Sequence, residues 1–168
     1  MKPRISLIVA VDSINGIGKK GKIPWHIKED LVRLKNLTKG RIVILGRKTY
    51  ESMVWYYDRS GRPMPAKLYI VITHDEEHKT ARENVKTAHS LDEALENGQD
   101  EEVFILGGAQ IFQQAIDMGI VDRLYLTQVE GDFNCDTFFP DYSEFKKVLS
   151  EKNGEENVIK YKFLVLEK

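Results

Sequence analysis

Short apolar runs rich in β-branched residues alternate along the chain with stretches of helical periodicity. Continuous runs of this kind are typical of strands that are covered on both faces. They predict five strands: Ile5–Val11, Ile42–Leu45, Leu68–Thr73, Val103–Leu106 and Leu124–Val129. The stretches between them predict four helices: Pro24–Thr38, Thr49–Met53, Ser90–Glu96 and Gln110–Met118. The alternation favours an α/β sheet flanked by helices.

The end of the chain follows a different pattern. Phe145–Glu151 and Val158–Glu167 flank the polar stretch Lys152–Asn157. Two strand-like runs joined by a short polar connection containing glycine predict a long antiparallel hairpin. The sheet is therefore expected to be mixed.

The first predicted helix carries a carboxylate on its apolar stripe. Ile27, Leu31, Leu34 and Leu37 recur at helical spacing, and Asp30 lies within that stripe. A buried carboxylate is costly in free energy unless it is paired or takes up a proton. Asp30 is therefore either a structural anchor or a group that is shielded from water for a chemical role.

Two predicted strands run into glycine directly before a helix. One ends at Gly46, ahead of Arg47 and Lys48, and the other ends at Gly107 and Gly108. Glycine lets a phosphate approach the backbone, and a helix start offers free N–H groups. Neither turn is a GxGxxG motif or a P-loop. Each one alone is a common connection between a strand and a helix in α/β proteins, and is weak evidence for a ligand site. Together they suggest a ligand with more than one phosphate, bound at the carboxyl ends of the strands.

A glycine-rich and lysine-rich segment, residues 15–25, separates the first strand from the Asp30 helix. Its composition cannot build a core, so it is expected at the surface. It is either a solvated connection or a lid that closes over the site that Asp30 faces, with Trp25 shielding that site.

Bulk properties narrow the function classes. The chain has 168 residues, which suits a single domain over 1–168, and a net charge of −1, which suggests no nucleic-acid or membrane partner. The only cysteine, Cys135, excludes an internal disulfide and fits a reducing cytosol. The apolar run Ile5–Val11 is too short and lacks a cleavage site for a signal peptide. We expect a cytoplasmic monomer.

The segment His74–His78 combines histidines with acidic residues, which are side chains that can bind a metal ion. Its acidic residues are not in the HExxH position and no third ligand is apparent, so we expect no metal site. His74 directly follows a predicted strand, which makes a phosphate contact the better interpretation.

Taken in order, these segments resemble dihydrofolate reductase. Each is modest alone, but the ordered set is specific and covers most of the chain: Ile5–Val11, Asn15–Gly18, Ile23–Trp25, Asp30–Leu31, Ile44–Ser52, Gly61–Pro65, Ile105–Phe112, Leu124–Thr127 and Asp136–Pro140. The resemblance implies a mixed, mainly parallel eight-stranded sheet flanked by four helices, with an antiparallel C-terminal hairpin. It also implies that NADPH delivers a hydride to C6 of dihydrofolate.

The resemblance further implies residue roles. Asp30 would bind the pterin and promote protonation at N5 through water, supported by Thr127, with Trp25 as the third catalytic position. The substrate would contact Ile8, Val9, Ala10, Asp30, Leu31, Leu34, Met53, Lys67, Phe112 and Thr127. The cofactor would contact Ala10, Ile17, Gly18, Gly46, Arg47, Lys48, Thr49, Thr73, His74, Leu106, Gly107, Gly108, Ala109, Gln110, Ile111 and Phe112. Arg47 and His74 would read its 2′-phosphate, and the Gly107–Gly108 bond would be cis.

Three departures from the family pattern concern the far end of the substrate. Lys67 replaces an arginine that grips the carboxylate of the substrate's glutamate tail, and lysine cannot reproduce a bidentate fork. Val54–Ser60 resembles an insertion, and Leu34 replaces a common phenylalanine. Two alternatives therefore remain open: an NADPH-dependent reductase of another pteridine or pyrimidine, and a folate-binding or nucleotide-binding module without turnover.

Overall fold

The computed structural model describes residues 2–75 and 82–168. Its strands are β1 (Arg4–Val11), β2 (Gly16–Gly18), β3 (Ile42–Gly46), β4 (Leu68–Ile72), β5 (Val85–Ala88), β6 (Glu102–Ile105), β7 (Arg123–Val129), β8 (Thr137–Phe138), β9 (Lys147–Glu156) and β10 (Ile159–Glu167). Its helices are α1 (Lys28–Thr38), α2 (Arg47–Ser60), α3 (Leu91–Asn97) and α4 (Ala109–Asp117).

Eight strands form one mixed sheet in the order β5-β4-β3-β6-β1-β7-β10-β9. The six strands from β5 to β7 run parallel, whereas β10 is antiparallel to both β7 and β9. Strands β2 and β8 form a separate two-stranded sheet. Because the six strands are parallel, their carboxyl ends meet at one edge, where an α/β protein of this kind binds ligands. The predicted α/β fold with a C-terminal hairpin is confirmed.

The sheet has a helix layer on each face, and side chains alternate between the two layers. On one face, residues such as Leu7, Ile44 and Leu126 pack against α3 and α4. On the other face, Val43 and Phe104 pack under α1 and α2. A third, smaller cluster lies beside α1 and contains Trp25, Ile27, Val129 and Tyr161.

Helix α1 begins later than the sequence predicted. The expected start was Pro24, but Ile27 is extended and acts as the N-cap, so α1 starts at Lys28. The structure supplies a reason, because the Lys28 N–H donates to the Glu156 carboxylate of the hairpin. Pro24 and Trp25 therefore belong to the preceding connection.

Helix α2 continues well beyond the predicted end at Met53. It runs to Ser60 and stops at Gly61, which has a left-handed φ of +70°. The residues 54–60 that look inserted relative to the family thus extend a helix and do not form a loop.

The remaining differences concern short or polar strands. β2, β5 and β8 are two to four residues long and carry too little apolar pattern to be predicted. Strand β9 extends to Glu156, so a two-residue turn at Asn157 and Val158, both with positive φ, replaces the predicted polar loop. Among the described helices, none has the length and apolarity needed to cross a bilayer.

Candidate active site

The Asp30 carboxylate is the centre of the site. Asp30 lies in the first turn of α1, and its Oδ1 accepts a hydrogen bond of 2.6 Å from the Thr127 hydroxyl on β7. The predicted pairing of these two residues is therefore present. Burial raises the pKa of Asp30, while the Thr127 hydrogen bond and the positive charge of Arg33 act in the opposite direction. The net effect favours a protonated carboxyl at higher pH than in water.

Half-buried apolar side chains lie on the same face of the sheet as this carboxylate. Ile8, Leu106 and Met53 are half-buried and pack against the cluster of Val43 and Phe104. Ala10 is half-buried and packs against the cluster that contains Trp25. Ala10 also pairs in register with Thr127 across β1 and β7. We infer that these half-buried apolar side chains form the floor of a ligand cleft on the Asp30 face of the sheet.

The wall of the cleft comes from α1. Leu31 and Leu34 are half-buried and belong to none of the three clusters that the described residues form. Apolar side chains left outside a packed core are available to contact a ligand. Their position beside Asp30 agrees with the expected substrate contacts.

Two expected substrate residues lie elsewhere. The side chains of Val9 and Phe112 are in the cluster on the α3/α4 face, and Phe112 makes an edge contact with Phe139 at 5.1 Å between ring centroids. Strand alternation explains Val9, because Ile8 and Ala10 point toward Asp30 and the residue between them points away. Both side chains lie on the face of the sheet opposite Asp30, and their expected contacts with the substrate stay a prediction.

The two glycine turns meet at the carboxyl edge of the sheet. The Gly46 N–H donates to the Gly107 carbonyl at 2.7 Å, and a Cβ on Gly46 would lie 3.1 Å from Ile111 Cδ1. Gly107 has φ of +114°, and the Gly107–Gly108 peptide bond is cis. A Cβ on Gly107 would lie 3.0 Å from the Phe112 ring. Glycine is therefore required at Gly107 on both conformational and steric grounds.

Two helix starts lie at these turns. α2 begins after Gly46 and α4 begins after Gly108, and neither N-cap supplies a side-chain hydrogen bond. Their first N–H groups and the positive ends of both helix dipoles face the same edge. This arrangement suits a ligand with two phosphates. It also places Thr49, Ala109, Gln110 and Ile111 in the first turns of the two helices.

The basic residues expected at the 2′-phosphate are exposed at the same edge. Arg47 Nε lies 3.0 Å from Glu51, and its Nη1 lies 3.4 Å from Asp75. Lys48 and His74 are exposed, and Thr73 is buried with its hydroxyl accepting from the Asp75 N–H. A phosphate at Arg47 would compete with two carboxylates that already hold the guanidinium.

Hydrogen bonds hold part of the glycine-rich segment, residues 15–25, in a fixed conformation. The buried Asp12 carboxylate accepts from the N–H groups of Ile14, Gly16 and Phe133. Hydrogen bonds in both directions between Lys19 and Lys22 close a hairpin tip beyond Gly18. This tip and the exposed Ile23 are the part of the segment that is available to act as a lid.

Trp25 anchors the other end of this segment. Its ring is buried, contacts Phe133 at 5.2 Å between centroids, and shares a cluster with Ile27. Ile17 packs partly against the α3/α4 cluster. The lid hypothesis therefore concerns a short tip between two anchored ends.

Lys67 is paired within the protein. Its Nζ lies 3.3 Å from Asp100 Oδ2, at the amino ends of β4 and β6. On the extension of α2, Arg59 stacks over Trp55 at 4.2 Å, and Asp58 pairs with Arg82 at 2.9 Å. The contacts of this extension leave Trp55 60% exposed.

Sequence reasoning missed Arg33. Its Nη1 donates to the Leu126 carbonyl at 3.0 Å and to Thr127 Oγ1 at 3.3 Å, and its Nη2 donates to the Leu164 carbonyl at 3.0 Å. The available signal was its i,i+3 spacing from Asp30 on one helix.

No group of three or more possible metal-ligating side chains occurs within 2–75 and 82–168. Most of the His74–His78 segment lies outside the described residues.

These features define a class: α/β proteins with glycine turns and uncapped helix starts at the carboxyl edge of a parallel sheet, and with a buried acid among half-buried apolar side chains. Comparison with known proteins narrows the class. The dihydrofolate reductase family model matches residues 4–168. The chain belongs to the dihydrofolate reductase family.

Individual proteins named dihydrofolate reductase are similar in sequence to this chain over most of its length. A Salmonella typhimurium protein named dihydrofolate reductase type 3 is 42% identical over 139 residues, covering 82% of this chain and 79% of that protein. The dihydrofolate reductase of Staphylococcus haemolyticus is 37% identical over 170 residues, covering 98% and 96%. That of Staphylococcus aureus is 36% identical over 166 residues, covering 96% of each chain.

Proposed function

We propose that this chain reduces 7,8-dihydrofolate to 5,6,7,8-tetrahydrofolate with NADPH, by hydride transfer to C6 and protonation at N5. Membership of the family makes the chain an oxidoreductase acting on dihydrofolate. NADPH as the donor and the roles of individual residues are the further content of the proposal.

One observation carries these roles. The Asp30–Thr127 pair lies at the wall of an open apolar cleft, and its carboxyl has a raised pKa because it is buried. The raised pKa extends the protonated form of this carboxyl to higher pH than in water, so the group can supply a proton that a carboxylate in water would not. Thr127 holds the carboxyl in one orientation, and Leu31, Leu34 and Met53 keep the cleft apolar.

The residues at the carboxyl edge fit NADPH. Gly46 and Gly107 leave room where a Cβ would intrude, and two helix starts, after Gly46 and after Gly108, present N–H groups to phosphates. Arg47 adds a charge for the 2′-phosphate, with Lys48, Thr49, Thr73 and His74 near it on the same edge. When bound, the cofactor supplies the hydride, and the protein supplies position and electrostatics.

The reaction is tested by following NADPH absorbance with dihydrofolate as oxidant. We expect turnover by the parent, and a rate of hydride transfer that falls as pH rises through the apparent pKa of Asp30, because the protonated acid is the active form. Asp30→Asn should fold, bind NADPH and lose most turnover at neutral pH. A variant that reduces dihydrofolate near the parent rate would show that Asp30 does not handle the proton.

The same assay distinguishes the alternatives. Turnover of any kind contradicts a binding module without catalysis. Turnover of another pteridine or a pyrimidine, with none of dihydrofolate, would identify a different reductase on this fold.

The cofactor is tested at Arg47. A charge-assisted contact contributes roughly 1.5–3 kcal/mol, so Arg47→Ala should weaken NADPH by on the order of tenfold or more and NADH far less. Arg4→Ala is the control, because Arg4 lies at the amino end of β1, with its Nη1 3.7 Å from Glu102. Equal weakening of both cofactors by Arg47→Ala would remove Arg47 from the 2′-phosphate.

The proposal also includes one domain spanning 1–168, a monomeric state and a cytoplasmic location. The single sheet that joins strands from β1 to β10 supports one domain, because a break within it would divide its core.

A further inference from the structure

The Thr127 hydroxyl has one proton, and two polar groups lie within hydrogen-bonding distance of its oxygen. Thr127 Oγ1 lies 2.6 Å from Asp30 Oδ1 and 3.3 Å from Arg33 Nη1. Guanidinium nitrogens are donors only, so Arg33 must donate to the hydroxyl oxygen and cannot accept from it. The single Thr127 proton is then directed to Asp30 Oδ1.

We propose that Arg33 is a positioning residue for the Asp30 carboxyl: through Thr127 it makes Oδ1 the accepting oxygen and leaves Oδ2 as the oxygen that takes up the proton. This inference rests on the proposed proton-handling role of Asp30 and adds the residue that orients it. Oδ2 makes no hydrogen bond to Thr127 and is therefore the oxygen that is left to exchange a proton with water or substrate in the cleft.

The guanidinium is held firmly enough for this role. Its two terminal nitrogens donate to the Leu126 and Leu164 carbonyls, each at 3.0 Å, on adjacent strands β7 and β10. Its central carbon lies 4.7 Å from the centroid of the Phe163 ring, a cation–π contact. A planar fork anchored on three sides cannot rotate away from Thr127 without losing several contacts.

Arg33 also acts on Asp30 through its charge. Burial lowers the pKa of Arg33, but arginine remains charged in proteins, and its positive charge stabilises the Asp30 carboxylate. Tyr161 on β10 interacts electrostatically with Asp30, Glu29 and Glu156, and Tyr125 on β7 interacts electrostatically with Arg33. Among these described neighbours, Arg33 is the cation, so it is the group that limits how far burial raises the pKa of Asp30.

Two substitutions separate the charge of Arg33 from its packing. Arg33→Gln keeps an amide donor and loses the charge, whereas Arg33→Lys keeps the charge and loses the fork. Lys162→Gln is the matched control, because Lys162 lies on β10 next to Phe163 and pairs with Glu151 at 3.2 Å. The measurement is a ¹³C NMR titration of the Asp30 carboxyl in the ligand-free protein, with the pH profile of hydride transfer beside it.

We expect the Asp30 titration and the rate profile to move together to higher pH in Arg33→Gln. Both should move by a smaller amount in Arg33→Lys, which keeps the charge and loses the fork. Both should stay close to the parent in Lys162→Gln, and NADPH affinity should be unchanged in all three. An Asp30 titration that is the same in Arg33→Gln as in the parent would limit Arg33 to a structural role and overturn the inference. Should Arg33→Gln fail to fold, an Asp30 titration in Arg33→Lys that stays at the parent position would show that the fork does not position the carboxyl, and would overturn the inference equally.

The two proposals fail in different ways. If the NMR titration shifts as expected but the rate profile does not follow it, Arg33 controls the carboxyl and Asp30 is not the proton-handling group. If the rate profile depends on Asp30 but Arg33→Gln leaves the titration unchanged, only the role of Arg33 is wrong.

Discussion

At the scale of single residues, Asp30 links function to stability. Its pKa is raised in the folded protein by burial, so folding disfavours the ionised form. The folded state then binds more protons than the unfolded state between the ordinary pKa of about 3.9 and the raised value, and stability falls as pH rises through that window. Above the raised pKa the whole penalty is present.

Asp30→Asn should therefore be more stable than the parent at pH 8, by about 1.4 kcal/mol for each unit that separates the two pKa values. The advantage should disappear on acidification below the ordinary pKa, where both side chains are neutral. Glu29→Gln is the control, because Glu29 is an exposed acid in the same first turn of α1 and loses only its helix-dipole interaction. Urea unfolding across pH measures the difference, and an Asp30→Asn variant less stable than the parent at pH 8 would contradict the prediction.

At the scale of elements, the extension of α2 and the start of β4 bear on the substrate tail. Lys67 stands at the position expected to contact the tail carboxylate, yet Asp100 lies 3.3 Å from its Nζ. A carboxylate this close both neutralises the lysine and repels a second carboxylate. The structure thus adds a competitor to the loss of the arginine fork, and the exposed Trp55 and Arg59 remain available for compensating contacts.

Asp100→Asn should lower the Michaelis constant for dihydrofolate, because Lys67 becomes free to attract the tail. Glu101→Gln should leave it unchanged, since Glu101 is 80% exposed and pairs with Arg41 at 3.7 Å. Adding Lys67→Gln should abolish the effect of Asp100→Asn, which a double-mutant cycle would show as coupling. A Michaelis constant that is insensitive to Asp100 in both backgrounds would mean that Lys67 does not hold the tail.

The elements also show which parts of the fold the sequence could predict. Five strands are continuous apolar runs: β1, β3, β4, β6 and β7. Their existence and their order along the chain can be predicted from periodicity alone. Helix α2 was cut short at Met53 because its second half, residues 54–60, is aromatic and polar with no buried stripe. Its end at Gly61 depends on a left-handed cap that the sequence does not distinguish from a turn.

The site divides in the same way. Asp30 could be found because a carboxylate on an apolar stripe is anomalous, and Thr127 because the family resemblance supplied it. The contacts of Arg33 with β7 and β10 and the Lys67–Asp100 pair could not be found, since the partners lie 93 to 131 residues away for Arg33 and just before β6 for Lys67. Contacts of that range are set by strand register, which periodicity does not fix.

At the scale of the whole molecule, the proposed cofactor site and the proposed pterin site lie toward the carboxyl edge of one sheet. The glycine turns lie at the ends of β3 and β6, and the hairpin tip at Lys19–Lys22 follows β1, which adjoins β6. Beyond the tip, Ile23 is 62% exposed and has apolar surface to bury. Closure of the tip over both ligands would exclude water from the hydride transfer.

The lid is tested at Gly21, which has φ of +76° and no atom within 4 Å of an added Cβ. Gly119 is a matched control, with φ of +68° and the same free space at the end of α4. Alanine at either position should cost about 1–2 kcal/mol, because both are left-handed. Only Gly21→Ala should also lower turnover, and NADPH with a folate analogue should slow hydrogen exchange over residues 15–22 in the parent. Exchange that the two ligands together leave unchanged, or equal turnover in the two variants, would show that the tip does not close.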